Sequence, residues 1–142
     1  MSEGSDVELP AGTEPVDGIE HHRSSHTVAD TASRLVAAIA AAGAKLFADI
    51  DQREEAAQAG LELRETRMVI FGNPLAGTPM MQSAPLVALE LPLRALVWED
   101  DSGSVWISHL TPAWLADRYG LSPDEALPAG AAALLAGKAL GK

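Results

Sequence analysis

Apolar and polar positions along the chain follow two periods, and one stretch in the middle obeys neither. Val28, Ala32, Leu35, Val36 and Ile39 recur at helical intervals behind Thr27-Val28-Ala29-Asp30, which has capping-box spacing, and Gly43 sits where a left-handed cap ends a helix. This predicts an amphipathic helix with one face for a sheet. A strand is expected before it, over residues 18–26, and another after it, over 45–50. In the second strand Leu46, Ala48 and Ile50 point to one side and Phe47, Asp49 and Asp51 to the other. Asp51 with Glu54 then caps a short helix over 52–59 that Gly60 terminates. Leu61-Glu62-Leu63-Arg64 alternates, and Thr66-Arg67-Met68-Val69-Ile70-Phe71 follows as a β-rich run.

The stretch with no period is Phe71-Gly72-Asn73-Pro74-Leu75-Ala76-Gly77-Thr78-Pro79-Met80-Met81. Gly72 and Gly77 permit positive φ or close backbone approach, while Pro74 and Pro79 fix φ and remove donors, so a stiff loop is expected. Thr78-Pro79 has the form of a helix start, and a helix N-terminus beyond a glycine can hold an anion. The alternative is a tight connection between a buried strand and a short helix. Residues 86–93 are apolar but broken by Pro92 and read as irregular. Ala95-Leu96-Val97-Trp98-Glu99 and Ser104-Val105-Trp106-Ile107-Ser108 flank Asp100-Asp101-Ser102-Gly103, which predicts a hairpin whose tryptophans pack. Thr111-Pro112 starts a helix that ends at Gly120, and Ser122-Pro123-Asp124-Glu125 starts another that Pro128 interrupts. The remaining tail, with Leu134, Leu135 and Leu140, is expected to add a helix that packs weakly or across a subunit contact.

Composition narrows the field. At 142 residues the chain fits one domain able to bury about two-thirds of its unfolded surface, and with no cysteine it has neither disulfides nor thiol chemistry. Glu3, Asp6, Glu8, Glu14, Asp17 and Glu20 contribute six acids to a net charge of −10, leaving fourteen acids against ten bases elsewhere. Residues 1–16 read as a disordered acidic leader, 17–121 as the domain and 122–142 as a C-terminal helical extension. The charge argues against a nucleic-acid partner, and no segment has the length of a membrane span. The N-terminus lacks the basic start and apolar middle of a signal peptide, so a cytoplasmic location is expected.

Candidate chemistry is sparse. Asp49 and Asp51 lie on one strand face roughly 7 Å apart, a spacing that suits acid–base work or a hard cation, although for Asp51 capping is the stronger reading, since it explains both residue type and spacing. His21, His22 and His26 cluster near the first strand, where alternation sets His21 opposite the other two, so no metal site is expected. His109, at a strand end, is the histidine placed for titrating chemistry. No nucleophile elbow, phosphate loop, dinucleotide fingerprint or zinc-protease helix is present, and no cofactor is expected.

The runs Phe71-Gly72-Asn73-Pro74…Gly77-Thr78-Pro79-Met80-Met81, Leu91-Pro92-Leu93-Arg94 and Val97-Trp98-Glu99-Asp100 resemble the domain of unknown function family numbered 302. Arg34-Leu35, Phe47-Ala48-Asp49-Ile50-Asp51 and Ala59-Gly60-Leu61-Glu62-Leu63 match as well, so the likeness spans about residues 17–121. The resemblance implies an α+β fold like that of the TATA-box-binding protein: a strand, a helix, four strands and a closing helix, with a curved, mainly antiparallel sheet carrying helices on one face, and a homodimer. It carries no established activity. This chain has Gln52 where members often have His, and His109 where they often have Tyr.

Three readings follow. In the first, the chain is a small-ligand binding or homodimeric interaction module in which Gly72, Asn73, Gly77, Thr78 and Arg94 meet a polar or anionic group. In the second, it is a small acid–base enzyme with Asp49 or Asp51 as base and Arg94 as electrostatic stabiliser. In the third, the loop is purely structural.

Overall fold

A computed structural model describes residues 8–142. Five strands, β1 (Ile19–Ser24), β2 (Lys45–Asp51), β3 (Thr66–Gly72), β4 (Leu93–Glu99) and β5 (Val105–Leu110), form one sheet in the order β1-β5-β4-β3-β2. Every neighbouring pair is antiparallel. The helices are α1 (Val28–Ala41), α2 (Gln52–Gln58), α3 (Pro74–Ser83), α4 (Pro112–Tyr119), α5 (Pro123–Ala126) and α6 (Ala131–Ala139). Two 3-10 segments, Pro85–Glu90 and Leu127–Gly130, complete the chain. The α+β class read from the sequence is the observed one.

α1 forms where its stripe predicts. The Thr27 hydroxyl accepts from the Asp30 amide at 3.1 Å, and Gly43 at φ +74° carries the chain out of the helix. Val28, Ala32, Leu35 and Ile39 face Val69 and Phe71 of β3, Ala95 and Val97 of β4, and Ile107 of β5. Each aliphatic side chain fully removed from water in this way stabilises by roughly 1.5–3 kcal/mol. Ala132, Leu135, Ala136 and Ala139 of α6, within the segment read as a C-terminal helical extension, enter the same core. Alanines at the contact let α6 approach α1 closely, which helical periodicity does not reveal. A second core of Met80, Val87, Leu115, Leu121, Ala126 and Ala129 gathers α3, α4, α5 and the two 3-10 segments, and Leu93 touches both cores.

The leader splits. Residues 1–7 of the expected disordered segment lie outside the described residues. From Glu8 onward the chain is fastened to the sheet, because Pro10 is buried and the Ala11 amide donates to Asp100 at 2.9 Å. Asp100, buried at the β4–β5 turn, also accepts from the Ser102 amide and hydroxyl, the Ser104 amide and the Trp106 indole N–H, at 2.8–2.9 Å. Burial by itself would raise this carboxyl's pKa, but the donated hydrogen bonds outweigh it and hold Asp100 well below the usual carboxylate range. Trp106 is 3% exposed and serves the packing role expected of it.

Asp100→Asn would turn an amide group toward these donors and is expected to cost about 2–3 kcal/mol at neutral pH, read by urea denaturation. The folded-state pKa is depressed, so the carboxylate's contribution is fully present above the unfolded value and fades as pH falls below about 4; the gap between wild type and variant should narrow there.

Candidate functional site

The irregular stretch is a helix and not a loop. Asn73 is its N-cap, with the side-chain carbonyl accepting from the Leu75 amide at 3.0 Å and Pro74 in the first helical position. Thr78-Pro79 therefore lies inside α3 and does not begin it. Asn-Pro offers the same start signal five residues earlier, and the earlier start takes the chain directly off β3. Neither Gly72 nor Gly77 has positive φ. Their contribution is space. A Cβ at Gly72 would sit 3.5 Å from Pro92 and 3.9 Å from the Phe47 ring, and one at Gly77 would be 3.9 Å from Leu91.

Around these glycines is a cavity of about 300 Å³, bounded by Phe71 and Gly72 of β3, Gly77 and Met80 of α3, Leu91-Pro92 and Leu135 of α6. Phe47 of β2 joins it, at the bulge between Leu46 and Ala48. Asn73 and Thr78 supply polar side chains, and no charged side chain among the described residues lines the hollow. Four of the five expected ligand residues thus share one concavity, but its chemistry is apolar where a polar or anionic ligand was expected.

Arg94, the fifth, is elsewhere. It pairs with Ile70 in the β3–β4 ladder, so it leaves the sheet on the side opposite Ala95 and the α1 core. Its guanidinium lies 2.9 Å from Glu90, which also accepts from the Tyr119 hydroxyl at 2.6 Å. Arg94 and Glu90 border a second hollow of about 170 Å³ with Ser108 and His109. That hollow lies where β4 and β5 separate, their ladder running only from Leu96↔Ser108 to Glu99↔Val105.

The two candidate acids have structural partners. Asp51 caps α2, accepting from the Glu54 amide at 3.0 Å. Asp49 accepts two hydrogen bonds from Arg67, at 3.2 and 2.9 Å, and this contact raises the arginine's pKa. Asp49 pairs with Val69, which pairs with Ala95, so Asp49 and Arg94 leave opposite faces of the sheet. The base-plus-arginine arrangement of the second reading is not assembled.

His109 is buried, and what surrounds it was not visible in the sequence. In the β1–β5 ladder Glu20 pairs with His109 and His22 with Ile107, which brings all three polar side chains together at the sheet's β1 edge. The His22 and His109 Nε2 atoms are 2.8 Å apart and their rings stack at 5.0 Å, while His109 Nδ1 lies 2.9 Å from the Leu110 carbonyl. Burial, and then the neighbouring His109, push the His22 pKa down, with Glu20 pulling the other way. His21 faces the other side, sharing Ser108 with Trp98, and His26 pairs with Asp30 at 3.1 Å. Alternation within β1 correctly parted His21 from His22, but only the cross-strand register reveals His109.

Residues 20–136 match the profile of the family described as "Domain of unknown function DUF302". The chain belongs to the DUF302 family. A solved DUF302 protein, an uncharacterized conserved protein from Bacillus stearothermophilus, has the same fold: TM-score 0.73, 17% identity, covering 89% of this chain and 98% of that one. Among curated proteins this DUF302 chain is 45% identical over 114 residues to "Fluoride-specific ion channel FluC 1" of Brucella suis biovar 1 (strain 1330), across 79% of this chain and 45% of that protein. The proteins of the same name in Brucella abortus and, as FluC 2, Brucella melitensis match equally, over 42% of their length. The chain thus spans less than half of the curated relatives it matches. No helix among the described residues is long and apolar enough to cross a membrane.

If Asn73 and Asp51 act as caps, Asn73→Ala and Asp51→Ala should each cost about 1 kcal/mol of stability. Asp49→Ala, which removes a surface ion pair, should stay within about 1 kcal/mol. Guanidinium denaturation of the three variants reads both expectations.

Proposed function

We propose that this DUF302 domain binds a small, mainly apolar molecule in the cavity under α3, with Asn73 or Thr78 meeting a single polar group on it. The observation that carries this reading is the cavity itself: a concave hollow large enough for such a molecule and, among the described residues, free of charged side chains. Arg94 takes no part, because Glu90 already partners it on the far side of the sheet.

Gly77 supplies the test. It is helical and lines the hollow, and a Cβ there comes within 4 Å only of Leu91, at 3.9 Å, so Gly77→Phe adds a side chain to the hollow without straining the backbone. The neutral fluorophore N-phenyl-1-naphthylamine should bind wild type saturably at one site per chain, and Gly77→Phe should lose that signal while keeping its far-ultraviolet circular dichroism. Arg94→Ala should bind as wild type does. Fluorophore binding that survives Gly77→Phe, or that needs Arg94, overturns the reading.

Self-association is a companion reading, supported by three leucines on α3 and the adjoining 3-10 segment: Leu75, Leu86 and Leu89 are 87%, 70% and 73% exposed. Light scattering should give the mass of two chains, falling to one when Leu86 and Leu89 become Ser; a single-chain mass at every wild-type concentration removes it. A role beside an ion channel is supported only by the 45% identity over 114 residues to part of the Brucella proteins.

A further inference from the structure

Away from that cavity, at the β1 edge of the sheet, Glu20, His22 and His109 converge without an evident reason. Glu20 Oε1 lies 3.2 Å from His22 Nε2 and 3.5 Å from His109 Nε2, and the two Nε2 atoms are 2.8 Å apart. A tetrahedral ion with bonds of about 2.0–2.1 Å sets its ligand atoms roughly 3.3–3.4 Å apart, close to two edges of this triangle and somewhat longer than the third. We propose that Glu20, His22 and His109 form a binding site for one first-row transition-metal dication of the zinc type.

The hydrogen bonding supports it. His109 Nδ1–H donates to the Leu110 carbonyl, which leaves the lone pair of the neutral ring on Nε2, facing His22 and Glu20. A backbone carbonyl on the remote nitrogen is the usual way a ligating histidine is oriented. The Glu20 carboxylate brings only acceptors, so a single N–H, that of His22 Nε2, serves two acceptor atoms. A cation in place of that proton would engage all three. Two of the ligands come from β1 and one from β5, whose continuous ladder fixes their spacing, and the side chain of His109 is 1% exposed while Glu20 is open to solvent. Two imidazoles and one carboxylate suit zinc and its neighbours better than calcium or magnesium. Three protein ligands would leave a coordination position on the Glu20 side for water or a further ligand.

The full chain, stripped with EDTA and dialysed, should take up one equivalent of Zn²⁺ by calorimetry with a rise in melting temperature, and Co²⁺ should give the visible d–d bands of a low-symmetry site. Glu20→Gln, an exposed change that leaves the core intact, should weaken Zn²⁺ by about tenfold or more, and His22→Ala should abolish the Co²⁺ bands. His26→Ala, beside the separate Asp30 pair, should change neither. No saturable uptake, or uptake unaltered by Glu20→Gln and lost with His26→Ala, overturns the proposal. Because none of these ligands lines the cavity beside Gly77, Gly77→Phe should bind Zn²⁺ as wild type does, so the outcome is independent of the cavity reading.

Discussion

The ladder between β1 and β5 is the constraint on which the rest depends. It joins side chains 87 positions apart and closes the sheet on its first strand, although β2, the next strand in the chain, lies at the opposite edge. α1 makes that crossing possible: it leaves β1, spans the sheet and delivers the chain to β2 while burying its own apolar stripe. Such long-range pairing is entropically expensive to close and has to be offset by contacts made when it forms. Here those contacts are Ile107 beneath α1 and the Asp100 cluster that draws in the N-terminal segment.

Most of the element order could be read because local chemistry and tertiary demand agree. Thr27, Asp51, Thr111 and Ser122 accept capping hydrogen bonds where their spacing predicts, and the tryptophan-bearing hairpin is present. The failures are equally physical. Asn73-Pro74 and Thr78-Pro79 are competing start signals, and a proline inside a helix is a possibility that propensity alone ranks last. The tail's alanines carry too little hydrophobic contrast to show which face is buried, yet their smallness is what lets α6 sit deep in the main core.

Less of the candidate site was legible. The unusual composition of residues 71–81 did mark the chain that borders the larger cavity, because glycines and prolines reflect a backbone confined on several sides. The character of the cavity was not legible. It is set by Phe47, Leu91 and Leu135, residues distant in sequence with nothing local to mark them as sharing one hollow. Arg94 was grouped with the stretch as a cation for the same ligand, whereas strand alternation sends it to the other face. The Glu20–His22–His109 group illustrates the same limit, since strand register is a property of pairs and cannot be extracted from one strand.

The bulge at Phe47 bears on how copies of this protein could meet. β2 is an edge strand, and an undistorted edge offers its free amides and carbonyls as a template for another chain. With one residue looped out of step between Leu46 and Ala48, that border is interrupted within a seven-residue strand. Continuous extension of the sheet from molecule to molecule is disfavoured on this side. An assembly would then be cemented by side chains, which evolution can tune one at a time, and not by the indiscriminate hydrogen bonding of main chains that leads toward fibres.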